Sequence, residues 1–286
     1  MEAAPNIAIF CDYENVAIGA RDAKFDDFNV QLVLERLLEK GNVVVKKAYA
    51  DWERYKTARR ALHEAAFELI EIPHVSYSGK NSADIRLVVD ALDLCYTKEH
   101  LDVFVIVSGD SDFSPLVSKL RENDKKVIGV GVKSSSSDLL IDNCDEFILY
   151  DDLVRAKTQT KRGDQRRTKT KVDKEPAKEK PATKGTKVAE PKGKVEAESE
   201  EATLKEDALE LVVDTAESLL RDRDDSLWGS MVKQTLKRKR PSFSETYYGY
   251  RSFNLLLEDA QRRGLLVVEK DAKSGGYIIL SLGPSA

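Results

Sequence analysis

The segment VFVIVSGDSDFSPL, residues 103–116, ends an apolar run in two carboxylates one residue apart, Asp110 and Asp112. A second run, NIAIFCDYEN, ends in Asp12, with Glu14 and Asn15 close behind. A third segment, KNSAD, brings Asp84 to the start of a helical pattern, where the helix dipole tolerates an anion. Aspartates at the ends of buried strands project from one edge of a sheet when those strands are neighbours. Four carboxylates meeting there without basic partners repel one another, and folding tolerates that only when something neutralises them. Oxygen-rich, carboxylate-dominated sites suit Mg2+ or Mn2+. Each residue also has a plain structural role open to it. Asp110 can make an Asx turn, Asp112 can start the next helix, and Asn15 can cap a turn or orient substrate and water. Glu14 reads as a solvated loop carboxylate, and Asp90, six residues beyond Asp84, falls off its face. Lys80 and Lys133 either contact phosphate or solvate loops.

The elements that must position these residues alternate along the chain. NIAIFCD, VVVKKAYA, DVFVIVS, KVIGVGV and EFILY read as strands. DFNVQLVLERLLEKGN has helical spacing at Val30, Val33, Leu34, Leu37 and Leu38, with Gly41 as its stop. RYKTARRALHEAAFELI, SADIRLVVDALDLCYT and SDLLIDNC also read as helices, and another opens near Ser114-Pro115. Such alternation predicts an α/β fold, a three-layer parallel sheet with helices on both faces. Sites in such sheets lie beyond the carboxyl ends of the strands.

At 286 residues and 41% hydrophobic content the chain is expected to hold one large domain or two modest ones. Three cysteines without paired spacing and three scattered histidines argue against a disulfide framework and a zinc site. No run approaches ~18 apolar residues, and the N-terminal segment lacks the pattern of a secretory signal. A cytoplasmic protein without membrane association is the expectation. Charge is uneven: residues 1–154 carry −10, residues 155–200 carry +7 and residues 201–286 carry −1. The middle stretch has no aromatic residue, no Leu and no Ile, so it reads as a disordered basic linker. Its 15 basic and 5 acidic residues over 155–194 suit it to tether phosphate backbones.

The motifs IFCDYEN, KNSADIRLVVDAL and VFVIVSGDSDFSPLVSKLRENDKKVIGVGV resemble, in order, those of the NYN domain in its LabA-like branch. The resemblance covers residues 5–154, and SGDSDF is its most specific piece. It implies a Rossmann-like, PIN-like nuclease fold, with metal ligands at Asp12, Asp84, Asp110 and Asp112 and a supporting role for Asn15. It also implies phosphodiester hydrolysis assisted by Mg2+ or Mn2+.

Downstream, DALELVVDTAESLL, SLWGSMVKQTLKRKRPSFS and YRSFNLLLEDAQRRG read as three helices, the last stopped by Gly264. LLVVEK and GGYIILSL read as a β-wing. Residues 201–283 thus predict a winged-helix α+β domain and resemble the LOTUS domain, also called OST-HTH. That resemblance implies RNA binding or, in some members, a protein partner. Lys237, Arg238, Lys239 and Arg240 either contact phosphate or form a solvated helix end. Tyr247, Tyr248 and Tyr250, nearby, are candidates for base stacking or for core.

The leading expectation is a metal-dependent ribonuclease with an RNA-recruiting tail. A non-catalytic RNA-binding adapter is the alternative. A phosphatase of the haloacid dehalogenase type ranks last, because its aspartate-x-aspartate motif needs Asp where Glu14 stands.

Overall fold

The structure, a computed structural model, describes residues 4–25, 27–72, 82–158, 193–221, 227–271 and 275–286. The chain divides into two compact units, Met1–Val154 with Gln234–Phe243, and Arg155–Lys233 with Ser244–Ala286.

The first unit is built on six strands: β1 (Asn6–Asp12), β2 (Asn42–Ala50), β3 (Glu68–Glu71), β4 (Val103–Val107), β5 (Lys126–Gly131) and β6 (Glu146–Leu149). All pair in parallel, in the order β3-β2-β1-β4-β5-β6. This order reverses direction between β1 and β4, the switch point at which open α/β sheets place their sites. Between the strands run α1 (Tyr13–Asp22), α2 (Val30–Leu38), α3 (Lys56–Glu64), α4 (Ser82–Thr97), α5 (Ser114–Glu122) and α6 (Asp138–Asn143); α7 (residues 150–158) follows β6.

Side-chain alternation in the strands builds two cores. Ile7, Ile9 and Cys11 of β1 and Val103, Val105 and Val107 of β4 pack under α1, α2 and α3. Ala8 and Phe10 of β1 and Phe104 and Ile106 of β4 pack under α4, α5 and α6. Phe10 and Phe104 stack at 5.9 Å, which locks β1 against β4. Burying each such side chain contributes roughly 1.5–3 kcal/mol.

Three local expectations from the sequence differ from the structure. Tyr13–Asn15, expected as the polar end of a strand run, instead open α1, in which Val16, Gly19 and Ala20 are buried. Gly19 is there because a Cβ would sit 2.2 Å from Ser135 Oγ. FELI continues a helical pattern, yet α3 stops at Glu64, Ala66 turns left-handed at φ 57°, and Glu68–Glu71 becomes β3. Leu38, expected on the apolar face of α2, is 61% exposed.

The C-terminal part of the chain contains α8 (Gly193–Arg221), α9 (Gly229–Lys239) and α10 (Phe253–Arg262), with strands β7 (Leu227–Trp228), β8 (Leu266–Lys270) and β9 (Tyr277–Leu282). The strands form an antiparallel sheet in the order β7-β9-β8. Trp228, expected at the entry to a helix, pairs instead with Ile278 in β7. α8 begins inside the stretch expected as linker, where Ala, Glu and Lys are strong helix formers. Residues 159–192 of that stretch lie outside the described residues. Gly264 ends α10 as expected, at φ 71°. Among the described residues no helix is long and apolar enough to cross a membrane.

Candidate active site

Cys11 of β1 is in register with Val107 of β4, so both chains leave the sheet side by side. Parity places Asp12 and Ser108 on the α4 side, continuing Phe10 and Ile106. Ser108 is fully buried, and its hydroxyl donates to Asp12 Oδ2 at 3.1 Å while accepting from the Asp110 amide at 3.2 Å. Asp12 also caps α1, its Oδ1 accepting from the Asn15 amide at 3.4 Å. The Asn15 side chain accepts from the Gly109 amide at 2.9 Å. Asn15 therefore ties the start of α1 to the loop after β4. Gly109 is irreplaceable sterically, because a Cβ would lie 2.3 Å from the Ser135 carbonyl oxygen. Its own carbonyl accepts from the Ser137 amide at 2.9 Å, which clamps the loop from the other side.

Asp110 does make the Asx turn, its Oδ1 accepting from the Asp112 amide at 3.0 Å at the head of a 3-10 turn over Ser111–Phe113. Asp110 is half-buried and Asp112 exposed. Asp84 is half-buried in the first turn of α4. Glu14, expected in a loop, sits in the first turn of α1 and accepts from the Asp51 amide at 3.2 Å. Asp90 is engaged elsewhere, accepting from Tyr49 and Arg86, with Lys47 at 3.7 Å.

The electrostatics single out Asp12. Burial, then the charge of Asp84, pushes its carboxyl up to about 7, against the opposing hydrogen bonds from Asn15 and Ser108. Asp84 is raised too, by burial and then by Asp110, Asp112 and Glu14. The charges that raise Asp12 come from Asp84 and Glu14, and those that raise Asp84 come from Asp110, Asp112 and Glu14. These carboxylates are not gathered into a closed cage: among the described residues no group of three or more His, Cys, Asp or Glu is placed to hold a metal ion. The donor atoms are all carboxylate oxygens, the ligand type that hard divalent cations take. Mg2+ usually keeps several waters and is held by one or two carboxylates plus substrate phosphates.

Of the basic candidates, Lys80 lies outside the described residues. Lys133 is exposed in a 3-10 turn, Lys133–Ser135, just past β5, hence at the same sheet edge. Lys237, Arg238 and Lys239 form the last turn of α9 and Arg240 follows it. Arg238, Lys239 and Arg240 are exposed, and Lys237 is half-buried. Tyr250 is buried, its hydroxyl donating to Asp259 at 2.7 Å, so it belongs to the core rather than to a stacking surface. Tyr247 and Tyr248 meet edge-on at 5.0 Å and are half-buried.

One feature beside the carboxylates is not apparent from the sequence. Tyr13, by the opposite parity to Asp12, turns to the α1–α3 side and packs against Phe28, Trp52 and Tyr55. The only sequence signal is a set of aromatic residues spread over positions 13–55, which the strand-end aspartates overshadow.

An uncharacterized protein of Methanocaldococcus jannaschii is 29% identical over 124 residues, 43% of this chain and 48% of that protein. The chain therefore matches about half the length of this curated relative. A crystal structure of a protein of unknown function from Vibrio parahaemolyticus RIMD 2210633 is 29% identical, covers 54% of this chain and 97% of its own, and has a TM-score of 0.48. Residues 6–151, half of the chain, match the NYN domain, so the protein belongs to the NYN domain family and its first unit has a nuclease-like fold.

Proposed function

We propose that the chain is a metal-dependent ribonuclease that hydrolyses RNA phosphodiester bonds where Asp12, Asp84, Asp110 and Asp112 share one sheet edge. The observation that carries this reading is Asp12, a buried carboxylate at the β1/β4 switch point, joined through the Ser108 hydroxyl to the loop that bears Asp110 and Asp112. Those four aspartates would hold Mg2+ or Mn2+. When bound there, a divalent cation supplies a water of lowered pKa and charge neutralisation at the phosphoryl oxygens. The chain's own residues set the geometry. Ser108 orients the Asp12 carboxylate, and its hydrogen bond from the Asp110 amide fixes the loop that carries Asp110 and Asp112. Asn15 acts as a positioning residue through Gly109. Recruitment falls to the basic stretch 155–200 and to residues 201–283. Three helices and a small antiparallel sheet support reading the latter as a LOTUS-like winged helix, with Lys237, Arg238, Lys239 and Arg240 holding phosphates. A protein partner is the other occupant that this resemblance allows.

The alternative is a non-catalytic RNA-binding adapter, and the open spacing of the carboxylates favours it. Single-turnover cleavage of end-labelled RNA in Mg2+, Mn2+ or chelator decides between the two. The ribonuclease reading expects products with 5′-phosphate and 3′-hydroxyl ends, lost with chelator and in Asp110→Asn and Asp112→Asn. Binding without turnover in either metal makes the protein an adapter. Undiminished cleavage by Asp110→Asn removes that residue from the site.

A further inference from the structure

A cavity of about 500 Å3 opens between α1, the loop after it and the start of α3. Tyr13 and Phe28, both buried, form its floor. Phe25, Tyr55, Ala17 and Ala58, half-buried, form its walls. Arg21 and Arg54 stand exposed on its rim, beside Asp27 and Thr57. Among the described residues neither guanidinium is ion-paired, although the unit that carries them is strongly acidic. Two arginines and one aspartate thus stand over an aromatic floor. Core packing alone requires neither the opening nor the cations.

The cavity adjoins the carboxylate edge. Asp12 is in register with Tyr49, so the loop carrying Arg54 and Tyr55 leaves the sheet next to Asp12. Glu14 joins the two places: its carboxylate accepts from the Asp51 amide in that loop, and its charge reaches both Tyr55 and Asp84. Tyr13 follows Asp12 directly, with the ring on one side of the strand end and the carboxylate on the other.

We propose that this cavity is a nucleotide subsite: it takes one unpaired base of a single-stranded RNA, stacked against Tyr55 and Phe25, with Arg21 and Arg54 holding the adjoining phosphates. The inference deepens the ribonuclease reading and rests on it for the direction of the strand. Bases offer a π-face whatever their sequence, so stacking on aromatic side chains combined with cations along the backbone suits a single strand. Guanidinium groups bind phosphate in a planar, forked geometry and also stack on rings. Asp27 and Thr57 add an acceptor and a donor at the rim, where a base edge would present its polar groups. A duplex cannot present a flipped base there without unpairing, so the subsite selects single strands.

The test uses the full chain in chelator, where cleavage is absent, and a fluorescent five-nucleotide RNA. A second oligonucleotide lacks only the central base. Tyr55→Leu should weaken binding of the complete oligonucleotide by about 5- to 150-fold, the range for unstacking one base from a ring. It should leave the abasic oligonucleotide nearly unchanged. Tyr55→Phe keeps the ring and should retain binding, which separates stacking from misfolding. Arg21→Ala with Arg54→Ala should weaken both oligonucleotides and lower the salt slope of log K by about 0.7 for each phosphate no longer neutralised. Equal weakening of both oligonucleotides by Tyr55→Leu, or none, overturns the stacking subsite. An unchanged salt slope in the double arginine variant overturns the assignment of the two arginines to phosphates. Cleavage by the wild type in Mg2+, run alongside, separates the two readings. The expected binding pattern without cleavage keeps the subsite and removes the ribonuclease, whereas cleavage without the pattern does the reverse.

Discussion

Replacing Asp12 with Asn should shift stability in metal-free buffer increasingly in the variant's favour as the pH rises, with a net gain near pH 8. Asp12 is 6% exposed, and burial together with Asp84 lifts its carboxyl from 3.8 to about 7. A folded-state value above the unfolded one means that the folded protein holds the proton more tightly. The stability this group contributes is fully present below about pH 3.8 and is lost as the pH rises through about 7. The difference corresponds to about 4 kcal/mol. Asn has the same shape, and its Oδ1 can still accept from the Asn15 amide or from Ser108. Its NH2 replaces an acceptor with donors, which costs about 1–3 kcal/mol at every pH when they go unpaired. The variant should therefore be slightly weaker than wild type near pH 4.5 and more stable by about 1–3 kcal/mol near pH 8. Urea unfolding in chelator, followed through Trp52 in a Trp228→Phe background, reads this unit alone. Adding Mg2+ near pH 8 should stabilise wild type by about 2.7 kcal/mol at a hundredfold excess over Kd, and the variant far less. Parallel wild-type and variant curves from pH 4.5 to pH 8 would refute the reasoning, because Asp12 would then carry no unrelieved charge.

Asn15→Ala should cost about 1–3 kcal/mol, because it orphans the Gly109 amide, and should lower the cleavage rate more than RNA affinity; thermal unfolding and single-turnover kinetics check this. Gly109→Ala should cost about 1–3 kcal/mol or more from the clash with the Ser135 carbonyl, seen as a lowered urea midpoint. Replacing Lys237, Arg238, Lys239 and Arg240 with Ala should weaken RNA binding and flatten its salt dependence by about 0.7 for each phosphate these cations neutralise, while the rate at saturating RNA stays near wild type. An unchanged salt slope in that variant would point the C-terminal part toward a protein partner.

The sheet is legible in the sequence because parallel strands are buried on both faces and read as unbroken apolar runs. VFVIV and KVIGVG can hardly be anything else, and the aspartates that end such runs stand out. The strand order is not legible. It alone sets β1 beside β4 and turns two strand-end aspartates into one edge. α1 escapes notice because its apolar spacing is short and its Gly19 looks like a breaker, whereas the reason for that glycine is a serine 116 residues away. β3 looks helical because Ala66 carries the left-handed turn that a glycine or asparagine usually signals. The role of Asn15 stays open in the sequence for the same reason as that of Gly109: the partner of each comes from a distant loop.

The central place of β1 bears on how the chain is made. Its partner β4 lies 96 residues later, counted from Asp12 to Ser108. At ribosomal speeds of about 5–20 residues per second, β4 emerges roughly 5–20 s after β1. Until then β2 is the one neighbour in the sheet order that β1 can have, and the edge of β1 that β4 covers has no partner. Whatever acts at the carboxylate edge is absent from the nascent chain until β4 and its loop have docked.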